Sequence, residues 1–321
     1  ILITGSNGFI CFLLVSFFLR YSNDIKFKKL FLADVTKNKF NLKKNVFFKK
    51  FNVIKNDFTK FSKKIDIIFH AASIASPSIY RKFPLETIDS NVVGLRKILE
   101  YSKKYKVKKI LYFSSSEIYG NPGVNEIPTN EDFNGNVPSI GPRACYDEAK
   151  RLCETLCYVY NKKFNIPITV VRPFNNYGPG MNINDKRLPA DLAKNVLKSN
   201  TIKIFSDGKA SRSFCYISDA VVGYLKAITH KKKFDVFNIG NDQNMLTVKK
   251  FSKIFAEEAS RILDKKIYIK YKKNIDKDYL KDNPIRRKPS IKKAKNELNF
   301  YPKVDVRNGI RNYINFLREN Y

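Results

Sequence analysis

The chain has 321 residues, 43% of them hydrophobic, and 61 lysine and arginine residues against 29 aspartate and glutamate residues give it a formal net charge of +32. This length and composition can bury a large core, which excludes a disordered chain and predicts one two-lobed unit or two closely joined domains. Because the lysines are spread along the whole chain, the charge indicates solvated faces that attract an anionic ligand, and neither nucleic acid nor a membrane is the expected partner.

The first predicted elements are a short buried strand at residues 1–4, a glycine turn and an apolar helix that ends near residue 19. Gly5 and Gly8 permit a tight turn, and the start of the helix offers unpaired N–H groups to a pyrophosphate. The helix is too short to span a membrane and lacks a basic segment before it, so we interpret it as a buried helix; a signal peptide is the alternative.

A second strand, at residues 29–34, ends in Asp34, which stands near the expected offset for a ribose hydroxyl. No arginine follows Asp34 directly, so the pattern favours NAD over NADP. Cys11 occupies the third position of the glycine signature, where a third glycine normally allows close helix–strand packing. Two outcomes stay open: the helix moves outward and binds the cofactor less well, or a slightly shifted helix accommodates the side chain, which is our expectation.

Further strands are predicted at residues 65–70, 109–114 and 168–172, alternating with helices at 86–103 and 146–163. This alternation predicts an α/β fold with a doubly wound parallel sheet (Rossmann) and a smaller C-terminal substrate lobe. Later helices are predicted at 188–198, 218–229, 248–263 and 306–318, with residues 235–240 returning to the sheet. We assign 1–172 and about 214–241 to the cofactor domain, and 173–213 and about 242–321 to the substrate lobe.

Tyr146 and Lys150 stand four residues apart in the predicted helix, so both side chains project from one face. A free tyrosine titrates near about pH 10, but an adjacent ammonium and a cationic cofactor favour the phenolate, which can then accept the proton of an alcohol. Ser115 completes the hydrogen-bond relay. This spacing alone is more often an exposed helix pair in a lysine-rich chain, so the other motifs decide.

No metal site is predicted. His70 is expected at a strand end lining the cofactor, and His230 is expected to be solvated because Lys231, Lys232 and Lys233 follow it. The five cysteines lack paired metal-binding spacing and fit a reducing compartment, which predicts a cytoplasmic protein.

Several longer motifs follow one another in a fixed order. They are the glycine turn at 5–8, His-Ala-Ala-Ser at 70–73, Ser-Pro at 76–77, Ser-Ser-Glu-Ile-Tyr-Gly at 115–120, Ile-Gly-Pro-Arg-Ala-Cys-Tyr-Asp-Glu at 140–148, Arg-Pro-Phe-Asn-Asn-Tyr-Gly-Pro at 172–179, Arg-Ser-Phe at 212–214, Tyr-Ile-Ser-Asp at 216–219 and Arg-Lys-Pro-Ser-Ile-Lys-Lys-Ala at 287–294. Over nearly its whole length the chain resembles the extended short-chain dehydrogenases/reductases, and among them the UDP-glucuronate decarboxylases, or UDP-xylose synthases.

The resemblance implies NAD-dependent decarboxylation of UDP-glucuronic acid to UDP-xylose through a 4-keto intermediate, with the hydride returned at the end. It also implies a UDP-sugar as substrate and a homodimer. The implied catalytic residues are Ser115, Ser116, Glu117, Tyr146, Lys150 and Arg212. The implied cofactor-binding residues are Gly5, Asn7, Gly8, Phe9, Ile10, Asp34, Asn52, Val53, Ala71, Tyr146 and Lys150. The implied substrate-binding residues are Tyr80, Asn175, Arg187, Arg212 and Arg287.

Related families differ at the residues that follow Ser115. Nucleotide-sugar 4-epimerases generally have no acid there, and 4,6-dehydratases have an Asp-Glu pair whose aspartate protonates the departing hydroxyl. Ser116 and Glu117 are the decarboxylase-like pair, because loss of carbon dioxide needs no acid to expel water. The alternatives are a dehydratase, a 4-epimerase or a non-catalytic nucleotide-binding relative. Cys11, Asn52 in place of an aspartate near the adenine, and the positive charge motivate the last of these.

Overall fold

The computed structural model describes residues 1–272 and 281–321. Within these ranges, seven parallel strands form the central sheet, in the order β11-β6-β5-β4-β1-β2-β3. The sheet strands are β1 (Leu2–Thr4), β2 (Leu30–Asp34), β3 (Val46–Lys50), β4 (Ile67–His70), β5 (Lys109–Phe113), β6 (Ile168–Pro173) and β11 (Phe234–Ile239). The predicted doubly wound parallel sheet is confirmed.

Helices cover both faces of this sheet. The α-helices of residues 1–272 and 281–321 are α1 (Phe9–Arg20), α2 (Pro77–Lys82), α3 (Pro84–Tyr105), α4 (Ala144–Phe164), α5 (Leu188–Lys198), α6 (Ile217–Ile228), α7 (Val248–Ile262), α8 (Lys292–Leu298) and α9 (Val306–Asn320). One apolar cluster joins the sheet to α1, α6 and α8, and a second joins it to α3 and α4. Apolar runs such as Ile-Leu-Tyr-Phe in β5 are buried along their whole length because the sheet is covered on both faces.

The predicted strands and helices agree with the observed ones to within two residues at almost every end. The sequence analysis missed β3, which has the sequence Val-Phe-Phe-Lys-Lys and lies at the edge of the sheet with most of its residues solvent-accessible. An edge strand needs no continuous apolar run, and its lysines protect it from pairing with other chains. The short helices α2 and α8 were also missed.

The C-terminal half contains a third apolar cluster, built largely from α5, α7 and α9. Its short strands are β7 (Asn176–Tyr177), β8 (Thr201–Ile204), β9 (Ser211–Ser213), β10 (Cys215–Tyr216), β12 (Met245–Thr247), β13 (Tyr268–Tyr271) and β14 (Arg286–Arg287). The predicted return to the sheet is confirmed, because β11 pairs with β6 in parallel from Phe234 to Ile239. The exact division into two domains stays a prediction.

The strand order indicates where a ligand would bind. β1 has β2 on one side and β4 on the other, so the chain winds outward in both directions from this point. Ligands of such sheets bind in the crevice beyond the carboxyl ends of the strands where the winding reverses. The carboxyl ends of β1, β2 and β4 carry Thr4, Asp34 and His70.

None of the helices in the described ranges is both long enough and apolar enough to cross a lipid bilayer.

Candidate active site

The glycine turn has the geometry of a phosphate cradle. Gly5 adopts φ +71°, and a Cβ atom at this position would lie 2.8 Å from the backbone of Ala72. Gly8 begins α1 and provides no side-chain cap, so the first N–H groups of the helix keep their donor capacity. These residues fit the pyrophosphate of a dinucleotide.

Asp34 lies at the end of β2, beside this turn. One oxygen of its carboxylate accepts the backbone N–H of Asn7 at 3.0 Å, and the other accepts the N–H of Thr36 at 3.0 Å. The Asn7 side chain donates to the carbonyl of Lys37 at 2.7 Å. The carboxylate is therefore fixed next to the glycine turn, where a ribose hydroxyl of a bound dinucleotide would lie.

The other residues predicted to bind the cofactor lie around the same crevice. Phe9 and Ile10 form the first turn of α1, and Ala71 follows β4 with its N–H bonded to the Thr4 carbonyl at 3.2 Å. The side-chain oxygen of Asn52 accepts the N–H of Ile54 at 2.9 Å, so this side chain supports its own turn. Val53 is buried beneath α3, where its methyl group faces Gly94.

Cys11 is buried in α1, and its effect on cofactor binding stays a prediction. It is 1% exposed and packs in the apolar cluster between α1 and the sheet. Burial raises the pKa of its thiol well above the usual value, so Cys11 is a neutral packing residue.

The predicted base lies at the start of α4. Tyr146 is 5% exposed; burial raises the pKa of its phenol to about 12, and a hydrogen bond with Ser115 acts in the opposite direction. The ammonium of Lys150 lies 5.7 Å from the centroid of the Tyr146 ring and donates to the carbonyl of Phe113 at 2.8 Å. Burial lowers the pKa of Lys150 to about 8. The structure thus brings the predicted Ser115, Tyr146 and Lys150 together.

Glu117 lies between two arginines. It belongs to the helical turn Ser116–Tyr119, and its carboxylate forms ion pairs with Arg143 and Arg287. Burial acts to raise the pKa of Glu117, but the guanidinium groups of Arg287 and Arg143 outweigh it and hold the pKa below its usual range. Glu117 is therefore an anion held in place by charge-assisted hydrogen bonds.

Asp147 is a second buried carboxyl group at this site. It follows Tyr146 in the chain, is 4% exposed, and lies 3.5 Å from the Nε of Arg143. Burial and the neighbouring Glu117 carboxylate raise the pKa of Asp147, although Arg143 acts in the opposite direction. The two carboxyl groups therefore differ in proton affinity because their surroundings differ.

The comparisons with known proteins agree with this geometry. Residues 1–240 match the profile of the NAD dependent epimerase/dehydratase family. The chain belongs to this family. The predicted cofactor, NAD, is confirmed at this level.

Sequence relatives in the family place the chain beside the decarboxylases. UDP-glucuronic acid decarboxylase 6 of Arabidopsis thaliana is 36% identical over 313 residues, which cover 97% of this chain and 86% of that protein. UDP-glucuronic acid decarboxylase 1 of Xenopus tropicalis is 32% identical over 320 residues, covering 99% of this chain and 72% of that protein. The predicted resemblance to UDP-glucuronate decarboxylases is confirmed.

Solved structures of epimerases in complex with nucleotide sugars share the fold. UDP-glucose 4-epimerase from Thermotoga maritima, solved with UDP-glucose, superposes with a TM-score of 0.82 at 26% identity, covering 99% of this chain and 98% of that one. UDP-glucuronic acid 4-epimerase from Bacillus cereus, solved with UDP-glucuronic acid and NAD, gives a TM-score of 0.82 at 24% identity, covering 100% and 99% of the two chains. The second likeness supports the fold alone.

Two of the residues predicted to bind substrate lie near the reacting groups, since Arg187 acts on the pKa of Tyr146 and Arg212 acts on that of Glu117. Arg212 donates to the side chain of Asn283 at 3.0 Å, and the side chain of Asn175 donates to the Ser213 carbonyl at 3.3 Å. Arg187 forms an ion pair with Asp185. Burial and the nearby Arg287 lower the pKa of Arg212 to about 9, although the Glu117 carboxylate acts in the opposite direction, and within residues 1–272 and 281–321 this guanidinium forms no ion pair.

Arg143 and Asp147 are the site residues that the sequence analysis did not name. Both lie in the motif at 140–148, whose local pattern does not indicate which charged groups these two side chains contact. Arg287 was predicted to hold the nucleotide diphosphate, and the structure places its guanidinium against Glu117. Its contact with substrate stays a prediction.

A cluster of possible metal ligands lies away from this site. His230, Asp235 and Glu297 each bring a ligand atom within 4.8 Å of the others. The predicted solvated role of His230 is wrong, because its side chain is only 10% exposed and lies 3.1 Å from the buried Asp235 carboxylate. Lys293 pairs with Asp235, and Lys232 pairs with Glu297 at 2.7 Å. These ammonium groups supply positive charge to the two carboxylates. The absence of a metal stays a prediction.

Proposed function

We propose that this protein decarboxylates UDP-glucuronic acid to UDP-xylose, using NAD as a recycled oxidant. The observation that carries the proposal is the position of Glu117, whose carboxylate lies between Arg143 and Arg287 at the site of Tyr146. No acid immediately precedes Glu117, since Ser115 and Ser116 stand there, and the other carboxyl group at the site, Asp147, faces the guanidinium of Arg143. This arrangement suits a reaction that expels carbon dioxide and does not expel water.

The first step is removal of the O4 proton of the sugar. Tyr146 accepts this proton as a phenolate. Burial alone disfavours the phenolate, and the ammonium of Lys150 on the same helix face, together with the cationic nicotinamide of bound NAD, acts in the opposite direction. Ser115 donates to the oxygen on which negative charge develops. The glycine turn and Asp34 would hold NAD, which would supply the hydride acceptor for oxidation at C4 and the hydride donor after decarboxylation.

Oxidation at C4 makes the C6 carboxylate a β-keto acid. The C5–C6 bond then breaks, carbon dioxide leaves, and the electron pair remains on the enolate formed by C5, C4 and O4. Glu117 and Ser116 assist positioning and proton handling while C5 is reprotonated. Arg212 contacts the sugar, because this guanidinium is short of anionic partners in the described part of the chain. Reduction at C4 and return of the proton from Tyr146 to O4 complete the cycle.

Substrate recognition is assigned to the arginine-rich side of the crevice. We assign the diphosphate to Asn175, Arg187 and Arg287, since amide and guanidinium donors match phosphate oxygens. Tyr80 lies beside Tyr146 and borders the sugar. The cofactor domain comprises 1–172 and about 214–241, and the nucleotide-sugar lobe comprises 173–213 and about 242–321.

The same proposal includes a homodimer formed through α3 and α4. Apolar side chains on these helices are solvent-exposed: Leu85 at 72%, Ile88 at 39%, Leu152 at 48% and Val159 at 43%. A second copy of the chain would cover them. We also propose a cytoplasmic location, because all five cysteines are free thiols.

The test is incubation of the purified protein with UDP-glucuronic acid and NAD⁺, following carbon dioxide release and the mass of the nucleotide sugar. Loss of the carboxyl mass in the wild type, absent in Tyr146→Phe and reduced in Glu117→Ala, supports the proposal. An unchanged mass with inverted C4 indicates an epimerase, and loss of water indicates a dehydratase. A protein that binds DNA in a salt-sensitive way without binding NAD is a non-catalytic relative.

A further inference from the structure

A buried ion pair lies behind the catalytic segment. Glu154, on α4, and Arg172, on β6, are linked by two hydrogen bonds: Nε to Oε1 at 3.0 Å and Nη2 to Oε2 at 2.6 Å. The side chain of Arg172 is 9% exposed and that of Glu154 is 13% exposed. Such a pair is geometrically specific, but it is weak support for a role in stability, because desolvation opposes its Coulombic attraction.

The pair holds both ends of the segment that carries the catalytic groups. The hydroxyl of Ser114 donates to Glu154 at 2.5 Å, and Arg172 donates to the hydroxyl of Tyr119 at 2.6 Å. Ser114 immediately precedes Ser115, and Tyr119 ends the turn that contains Glu117. Glu154 also follows Lys150 by one helical turn, so the same pair ties the segment to the helix that carries Tyr146.

The network continues to the segment that follows Arg287 in the chain. The hydroxyl of Tyr119 donates to the side chain of Asn238 on β11 at 2.8 Å. The amide of Asn238 in turn donates to the carbonyls of Thr129 at 3.0 Å and Ser290 at 3.1 Å. Ser290 lies three residues after Arg287, the partner of Glu117. One chain of buried hydrogen bonds therefore joins both sides of the site.

We propose that Glu154 and Arg172 are positioning residues, which clamp the segment 114–119 so that Ser115 meets Tyr146 and Glu117 meets Arg287. Neither of the two is assigned a contact with substrate or NAD. Their effect on turnover is indirect, through the placement of Ser115 and Glu117. The proposal rests on the proposed function for its activity assay.

A matched pair of variants separates positioning from stability. Glu154→Gln removes the carboxylate of the clamp, and Glu258→Gln removes another buried carboxylate, which accepts from Arg307 at 2.5 Å and Arg311 at 3.2 Å in the C-terminal lobe. We expect both variants to lower the unfolding temperature. Only Glu154→Gln should lower kcat, by at least ten-fold, with the KM for UDP-glucuronic acid changed less than three-fold.

A double-mutant cycle with Ser115→Ala tests the route of the effect. If Glu154 acts by positioning the segment that carries Ser115, the fold loss of kcat in the double variant should be much smaller than the product of the fold losses in Glu154→Gln and Ser115→Ala. A product of the two losses, or a kcat for Glu154→Gln within two-fold of wild type, overturns the proposal. If Glu154→Gln fails to fold, the apolar pair Glu154→Met with Arg172→Met replaces it, because buried ion pairs tolerate such replacement.

The wild type distinguishes failure of the clamp from failure of the proposed function. A wild type that binds NAD but does not decarboxylate UDP-glucuronic acid contradicts the function, and the clamp is then judged by a crystal structure of the apolar variant. Displacement of Ser115 away from Tyr146 in that structure supports the clamp, and an unmoved segment overturns it.

Discussion

The rings of Tyr80 and Tyr146 lie parallel, with 5.1 Å between their centroids and 7° between their planes. Tyr80 is 1% exposed, and its hydroxyl has no hydrogen-bond partner among residues 1–272 and 281–321. The guanidinium carbon of Arg143 lies 5.8 Å from the centroid of the Tyr80 ring. The Tyr80 ring therefore packs against the Tyr146 ring and restricts its orientation.

This stacking predicts that the ring of Tyr80 matters more than its hydroxyl. Tyr80→Phe should keep kcat within about two-fold, because the stack is retained. Tyr80→Leu should lower kcat at least ten-fold and the free energy of unfolding by about 3 kcal/mol, because a buried aromatic contact is lost. Steady-state kinetics and denaturant unfolding measure both. A large rise in the KM for the sugar nucleotide in Tyr80→Phe would instead show that the hydroxyl binds substrate.

Lys150 is expected to serve catalysis at the expense of stability. Its pKa falls from 10.5 to about 8 on folding, because burial disfavours the ammonium. Between these two pH values the unfolded state binds more protons, so stability rises with pH, and below about pH 8 the full penalty is present. At pH 7 the free energy of unfolding of Lys150→Met should therefore exceed that of the wild type by about 1–3 kcal/mol. The variant should lose nearly all activity.

The pH dependence supplies the control for this prediction. The stability gain of Lys150→Met over wild type should shrink as the pH rises from about 8 toward 10.5, because the folded wild type then loses the buried ammonium proton while the unfolded state still keeps it. Urea unfolding at pH 7, 8.5 and 10 measures the trend. A variant less stable than wild type at all three values contradicts it.

Glu117 should be difficult to replace, because it neutralises two buried guanidinium groups. Glu117→Ala removes the carboxylate shared by Arg143 and Arg287 and leaves Arg143 with the longer contact to Asp147, which should lower the free energy of unfolding by about 3–5 kcal/mol and kcat by at least a hundred-fold. Added formate, a small carboxylate, should raise the unfolding temperature of Glu117→Ala more than that of the wild type. Thermal unfolding with and without formate decides this, and equal stability of variant and wild type would speak against the assignment.

Cys11 should be a packing residue whose replacement by the usual glycine weakens the fold. Cys11→Gly removes a buried side chain and adds a glycine to α1, so we expect a loss of about 2 kcal/mol. Cys11→Ala should lose less. Calorimetric titration should show NAD affinity within a few-fold of wild type for both variants. NAD binding ten-fold tighter in Cys11→Gly would mean that Cys11 displaces the helix after all.

The proposed dimer interface predicts which substitution should produce a monomer. Leu152 on α4 is 48% exposed, and Leu152→Glu should abolish dimerisation because it places a charge in the middle of an apolar interface. Val222 on α6 is 47% exposed and serves as the matched control, since Val222→Glu should leave the dimer intact. Light scattering coupled to size-exclusion chromatography measures both masses. A monomeric wild type excludes the interface.

Most of the secondary structure could be predicted, because its signals are local. Strands β1, β2, β4, β5 and β6 follow from short apolar runs, and α4 follows from apolar spacing together with its Tyr146 and Lys150 pair. The edge strand β3 could not be predicted in this way, because pairing on one side and solvent on the other leave no distinctive apolar pattern.

The sequence by itself determined the type of chemistry: a glycine turn followed by Asp34 for a dinucleotide, and Ser115, Tyr146 and Lys150 for a hydroxyl. Only the tertiary structure decided which charges meet. Glu117 and Arg287 are 170 residues apart in the chain, yet their side chains pair. Glu154 and Arg172 meet because α4 packs against the sheet beside β6. Such partners depend on where strands and helices lie in space, and no local pattern of residues encodes that position.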